Sequence, residues 1–167
     1  VAKVSGRQFI EAYVIGLEVG ARLADALTRD HSNRGFHATA TLAAFSAYAG
    51  VARLKGSGAA QIANGLGLVA TTAGGLLCNL GTMAKPMHSG IAAQRAINAE
   101  HMTRCGFTAS PVVLETTNGF FAAYGGPKSA AGAIGALLGR PWAVQDPGST
   151  LKRFPSAIVG HRPMAAV

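Results

Sequence analysis

Apolar residues between Arg7 and Thr28 recur every three or four positions, at Ile10, Tyr13, Val14, Leu17, Ala21 and Ala24, while Glu11, Glu18, Arg22, Asp25 and Arg29 share the opposite face. That period is helical, so the chain is expected to open with an amphipathic helix whose charged side meets solvent. Glu18–Arg22 and Asp25–Arg29 stand four apart in the favourable order, and as surface pairs each is worth about 0.3 kcal/mol. The polar run DHSNRGFH (30–37) turns the chain into a second helix, from about Ala38 to Leu54, that is apolar on every side. Leu42, Phe45, Ala49 and Ala52 form one face and Ala44, Ala47, Tyr48 and Val51 cover the others, a pattern suited to the centre of a helical assembly. Arg53, Lys55 and Gly56 fit its C-terminal end.

A third helix is expected from Ala59 to about Ala70, followed by a glycine-rich stretch to Leu80 that either packs closely or breaks. Pro86 suits the first turn of a fourth helix reaching about Arg104, with Gly106 closing it. Beyond it Pro111, Gly119, Gly125, Gly126 and Pro127 punctuate the chain. PVVLE reads as a short strand or an extended link, and a short alanine-rich helix is expected from about Ala130 to Leu138. Three prolines leave RPWAVQDPGSTLKRFPS mostly irregular. The expected fold class is all-α, a multi-helix bundle with a loose C-terminal part.

Composition narrows the function. At 167 residues, 49% hydrophobic and 13% charged, the chain suits one domain with a buried core and excludes a disordered polyelectrolyte. A net charge of +8 favours anionic partners. The cations are scattered, with Lys152–Arg153 the densest pair, and most aromatics sit among apolar residues, so no nucleic-acid interface is expected. Cys78 and Cys105 form no CxxC, and are expected as buried, reduced thiols of a cytoplasmic protein. The uncharged interval between Lys55 and Lys85 is long enough for a bilayer, but its glycines and Gln61, Asn64, Thr71, Thr72 and Asn79 favour a soluble helix hairpin over a membrane span. The start at Val1 carries no signal-peptide pattern and suggests a trimmed or partial chain.

Gly65-Leu-Gly67-Leu-Val-Ala70 has the letters of a dinucleotide-binding turn, but it follows a helical pattern, and Lys85 stands about twenty residues on where an acid is needed. These are read as packing glycines. His31 and His37 lack the partners of a metal site, so no metal is expected. Three cationic islands remain. The first is His31, Arg34 and His37, leading into Thr39 and Thr41 at a helix start, where free amides and the helix dipole favour an anion. The second is GTMAKPMHSG, where Lys85 precedes a helix terminus that a bound anion would reconcile with its charge, and His88 lies within the first turns. The third is Lys152–Arg153 before Phe154–Pro155, with His161 nearby. Together they describe a receptor for a small polycarboxylate, with lysines as point charges and a histidine as acid or base.

HSNRGFHATATLAAF, GLVATTAGGLLCNLGTMAKPMHSG, GFFAAYGG, LGRPWAVQDPG and LKRFP, in this order, resemble the MmgE/PrpD family over nearly the whole chain. The resemblance implies a large all-helical domain with a smaller α/β lid, usually a homodimer, acting on di- and tricarboxylic acids without metal or organic cofactor. Members include 2-methylcitrate dehydratase, cis-aconitate decarboxylase and an iminodisuccinate epimerase. On that pattern His37, Lys85 and Lys152 are the catalytic positions, and the reading of the three islands adds His31, Arg34, His88 and Arg153 as substrate-binding residues around them. Full-length members are longer, so residues 1–150 are expected to be part of the helical domain and 151–167 the start of the connection to a lid. The implied activity is that of a carbon–oxygen lyase, 2-methylcitrate dehydration in propionate metabolism first, with decarboxylation or epimerisation as alternatives. A reading from another class is a catalytically silent helical scaffold that needs a complementing chain.

Overall fold

The computed structural model of the chain describes residues 3–125, 132 and 134–166. Helix α1 (Gly6–Leu27) starts at Ser5, whose hydroxyl accepts from the Gln8 amide while the Gln8 side chain accepts from the Ser5 amide. This reciprocal box satisfies two of the N–H groups a helix start leaves free. After the single turn α2 (Asp30–Asn33), the expected second helix appears as two pieces, α3 (Ala38–Thr41) and α4 (Ala43–Lys55). At the break Arg95 donates to the Ala40 carbonyl at 3.0 Å, competing with the helix ladder. Gly56 ends α4 in the left-handed region at φ 67°, as the sequence leads one to expect. Helices α5 (Ala59–Thr72) and α6 (Ala84–Arg104) follow, joined through a 3-10 turn at Leu77–Asn79. The fold is all-α, and no strand is present among the described residues; PVVLE forms turns.

Helix α4 is the hub and packs against α1, α5 and α6. Phe45, Tyr48, Ala44 and Ala52 are buried in it, and Phe45 meets Phe120 of α7 (Phe120–Tyr124) edge-on at 4.8 Å. Each fully buried aromatic stabilises the fold by about 1.5–3 kcal/mol before its cavity is considered. Alanines at 92, 96 and 99 line the buried face of α6, and they let it lie close against the hub. The glycines set aside as packing residues do pack: a Cβ on Gly65 would overlap the Tyr48 ring, and one on Gly67 would lie 2.5 Å from Ala109 Cβ.

The buried face of α1 is not the expected one. Ile10 and Tyr13 are 63% and 64% exposed, while Ala12, Gly16, Leu23, Ala26 and Leu27 face the core. The cause is close contact of backbones: a Cβ on Gly16 would stand 2.6 Å from the Ser46 carbonyl oxygen of α4. Small residues allow that approach, so the first half of α1 docks through Ala12 and Gly16 and leaves Phe9, Ile10 and Tyr13 outside, while Leu23 and Leu27 enter the core farther along. Phe9, Tyr13, Leu17, Val51 and Leu54 line the resulting open apolar groove of about 370 Å³ between α1 and α4.

Two polar expectations are also corrected. Glu18 and Arg22 are buried, 2% and 9% exposed, instead of forming a surface pair. The Glu18 carboxylate accepts from Arg22 Nε and the Gly139 amide, both at 2.8 Å, and from the Ala143 amide at 2.5 Å; Arg22 also donates to the Pro141 carbonyl. This anchor fastens the loop before Lys152 to α1. Asp25 and Arg29 do not close to ion-pair distance; among the described residues the ion pairs are Glu18–Arg22, Glu11–Arg53 and Glu100–Arg104. Cys78 and Cys105 are free but exposed, not buried. Of the expected helix at 130–138, the described part is α8 (Ile134–Leu137), and residues 130, 131 and 133 lie outside the described residues. The C-terminal part is largely irregular, with a π turn at Val144–Gly148 and a last short helix α9 (His161–Ala165). Among the described residues no helix is long and apolar enough to cross a membrane.

Candidate active site

The GFH segment is held by backbone before any side chain acts. Phe36 and Leu76 form an isolated antiparallel bridge, with the His37 amide donating to the Gly75 carbonyl at 3.1 Å and the Leu77 amide to the Gly35 carbonyl at 2.8 Å. Gly75 makes this possible. Its φ of 142° lies in the region open to glycine, and a Cβ there would collide with Ala40 Cβ. Arg95 of α6 clamps both sides, donating to the carbonyls of Ala40 at 3.0 Å and Gly74 at 3.1 Å.

His37 thus sits at the N-cap of α3, half-buried, and its Nδ1 lies 2.8 Å from Nδ1 of His88. Two imidazole nitrogens at that distance require one proton between them, because two donors or two lone pairs would repel. His88 reaches this point because it belongs to the buried face of α6, one turn before Ala92. Burial lowers the pKa of His37 below its ordinary value, and the charges of His88 and Lys85 lower it further. His37 is therefore favoured as a neutral imidazole near neutral pH.

Lys85, in the first turn of α6, opens onto a cavity of about 630 Å³ that Lys152, Arg153, Phe154 and Pro155 also line. The Arg153 guanidinium lies over the Phe154 ring at 5.7 Å, and the His161 ring meets Phe154 edge-on at 5.4 Å. Nε2 of His161 is buried and has no hydrogen-bond partner among the described residues. The three islands of the sequence thus converge: the first meets the second through His37 and His88, and the second meets the third across the Lys85–Lys152 cavity.

Two expected substrate-binding residues are occupied elsewhere. His31 is 2% exposed, with Nδ1 at 2.9 Å from the Tyr124 carbonyl and Nε2 at 2.7 Å from the Thr41 hydroxyl, so no ring nitrogen is free for a ligand. Arg34 donates to the Gly125 carbonyl. Together they take the last carbonyls of α7, which a helix end leaves without partners. Gly75, Arg95 and Tyr124 were not legible as site-forming residues, for they act over 21 to 93 positions of sequence. The one local hint is the Gly74–Gly75 pair. Among the described residues, no three His, Cys, Asp or Glu side chains converge in a way that could hold a metal ion.

Residues 1–133 match the family model described as the MmgE/PrpD N-terminal domain. The chain is 26% identical to cis-aconitate decarboxylase of Homo sapiens over 162 residues, 95% of this chain and 33% of that protein. It is 24% identical to cis-aconitate decarboxylase of Mus musculus over 165 residues, 96% of this chain and 33% of the relative. The chain therefore spans about a third of the length of the curated relatives it matches.

Proposed function

The chain belongs to the MmgE/PrpD family, and from that premise we propose that it supplies the acid–base and cationic part of a lyase site for a small di- or tricarboxylic acid. The observation that carries this reading is the placing of the His37–His88 pair beside Lys85, whose cavity also receives Lys152 and Arg153. Lys85, Lys152 and Arg153 hold carboxylates in a cavity that, among the described residues, no acidic side chain lines. The neutral imidazole of His37 takes a proton from a carbon next to a carboxylate, or returns one to it, with His88 sharing the load at Nδ1. In dehydration, the C–H electron pair forms the new double bond as hydroxide leaves and is protonated to water. In decarboxylation of cis-aconitate, the C–C pair enters the allylic system and shifts the double bond as carbon dioxide leaves, and the far allylic carbon takes a proton that the His37 imidazole relays from solvent. In both, the lysines stabilise the negative charge that develops.

Dehydration of 2-methylcitrate is the reaction first expected from the resemblance. Decarboxylation of cis-aconitate is the second reading, favoured by both relatives named above. Proton NMR of the whole protein incubated with 2-methylcitrate, citrate and cis-aconitate separates them. 2-Methylaconitate identifies a dehydratase and itaconate a decarboxylase. Lys85→Ala abolishes either signal, whereas Arg29→Ala, a change remote from the cavity, preserves it. Equal loss in the two variants, or no turnover of any of the three acids, counts against the reading and favours the silent scaffold.

A further inference from the structure

The Thr41 hydroxyl has one proton and two neighbours that could take it. It lies 2.7 Å from Nε2 of His31 and 3.3 Å from the carbonyl oxygen of His37. The other ring nitrogen decides between them. Nδ1 of His31 faces the Tyr124 carbonyl at 2.9 Å, and a carbonyl only accepts, so Nδ1 carries a hydrogen. A neutral His31 then has a bare Nε2, and the Thr41 hydroxyl must donate to it. The His37 carbonyl is already served by the amides of Ala40 at 2.8 Å and Thr41 at 3.1 Å. If His31 were protonated, Nε2 would donate to Thr41, and the hydroxyl would turn onto that crowded carbonyl at the N-cap of α3.

We propose that His31 is a positioning residue for His37: as a neutral, Nδ1-protonated imidazole it accepts the Thr41 hydroxyl proton at Nε2, and this bond fixes the turn from which His37 projects. The proposal rests on the acid–base reading of His37, and it adds a hydrogen-bonded link to a residue that the cavity does not touch. The surroundings keep the ring neutral. It is stacked on Phe36 at 5.2 Å and lies against Tyr124 at 6.1 Å. Burial lowers its pKa, the Tyr124 carbonyl works against this, and the Arg34 charge adds to the lowering. The other charged or titratable groups facing it are Asp25 and Arg29, which line the depression that His31 borders, and the Tyr124 phenol, which donates to the Ala73 carbonyl at 2.7 Å. Facing His37 are His88 and Lys85.

The test is ring ¹⁵N NMR of the whole protein labelled at histidine, which needs no turnover and so stands apart from failure of the lyase reading. At neutral pH His31 should show the Nδ1–H tautomer, with Nε2 at the shift of an unprotonated nitrogen. Thr41→Val should move the titration midpoint of His37 upward by about half to one pH unit, because the loss of one hydrogen bond lets the ring relax away from His88 and Lys85. Thr41→Ser should restore the original midpoint. His31→Asn, which keeps a donor for the Tyr124 carbonyl but cannot reach Thr41, should behave as Thr41→Val does. An Nε2–H tautomer for His31 in the unaltered protein overturns the proposal without any substitution, and so does a His37 midpoint that stays put in a folded Thr41→Val protein.

Discussion

Replacing Glu18 by Gln tests whether one buried carboxylate holds the C-terminal segment on the helical core. The side chain accepts three hydrogen bonds, from Arg22 Nε at 2.8 Å and from the amides of Gly139 at 2.8 Å and Ala143 at 2.5 Å. Gln is nearly isosteric but presents an NH₂ group where one oxygen was. At least one donor then meets another donor, and the ionic character of the remaining bonds is lost. Bonds to a charged group contribute about 1.5–3 kcal/mol each, and breaking a buried pair on one side costs about 3–5 kcal/mol. A loss of about 2–4 kcal/mol is expected, since the loop can retreat into solvent instead of bearing the whole penalty. Trp142, the chain's one tryptophan, borders Glu18 and reports on this loop. Urea titration followed by both tryptophan emission and far-ultraviolet circular dichroism should show the emission change preceding the loss of helix. Burial raises the pKa of Glu18, but the hydrogen bonds from Ala143, Gly139 and Arg22, with the Arg22 charge, outweigh it and the net shift is downward. A depressed carboxylate stabilises the fold above its unfolded value of 4.5 and loses that effect as pH falls through the folded value. Acid should therefore release the loop of the unaltered chain in the same order. Coincident transitions with an unchanged midpoint in Glu18→Gln would refute the anchor.

Three further outcomes are expected. Gly75→Ala should destabilise by about 2–3 kcal/mol, because φ is 142° and the new methyl collides with Ala40, whereas Gly90→Ala, with open space around an exposed helical position, should stabilise by about 0.5–1 kcal/mol; thermal melts of the pair decide. His31 and His37 both have pKa values lowered from 6.5, so the unfolded chain binds more protons, and stability should fall as pH drops below 6.5, with a slope of at most about 1.4 kcal/mol per pH unit for each histidine; melts across pH 8 to 5.5 that show no decline would contradict this. Cys78 and Cys105 should react with a thiol reagent in the native protein at rates close to those in denaturant, and slow labelling of either would restore the buried reading.

The periodicity of apolar residues was enough for the all-α class and for the positions of the long helices, because helix formation depends on neighbours three and four apart. Helix α1 ends at Leu27, α4 closes on Gly56, and Pro86 stands in the first turn of α6. Their local causes, capping groups and a fixed proline φ, are written in adjacent residues. The three cationic islands were legible for the same reason, as local breaks in an apolar chain.

What the helices do to one another was not legible. The face that α1 buries depends on Gly16 meeting the Ser46 carbonyl, and a stripe of larger residues elsewhere on the helix gives the stronger apolar signal. Glu18 and Arg22 read as a surface pair because a four-residue spacing is the same in solvent and in the core. Only the arrival of Gly139 and Ala143, more than a hundred residues later, makes them an anchor. His31 and His37 look alike in DHSNRGFH, yet one is enclosed by Phe36, Tyr124 and Thr41 while the other meets His88 beside Lys85. Residue type and spacing determined which groups could carry charge or protons. Long-range packing decided which of them are enclosed and which reach the cavity, because burial and hydrogen-bond partners are properties of segments brought together across the fold.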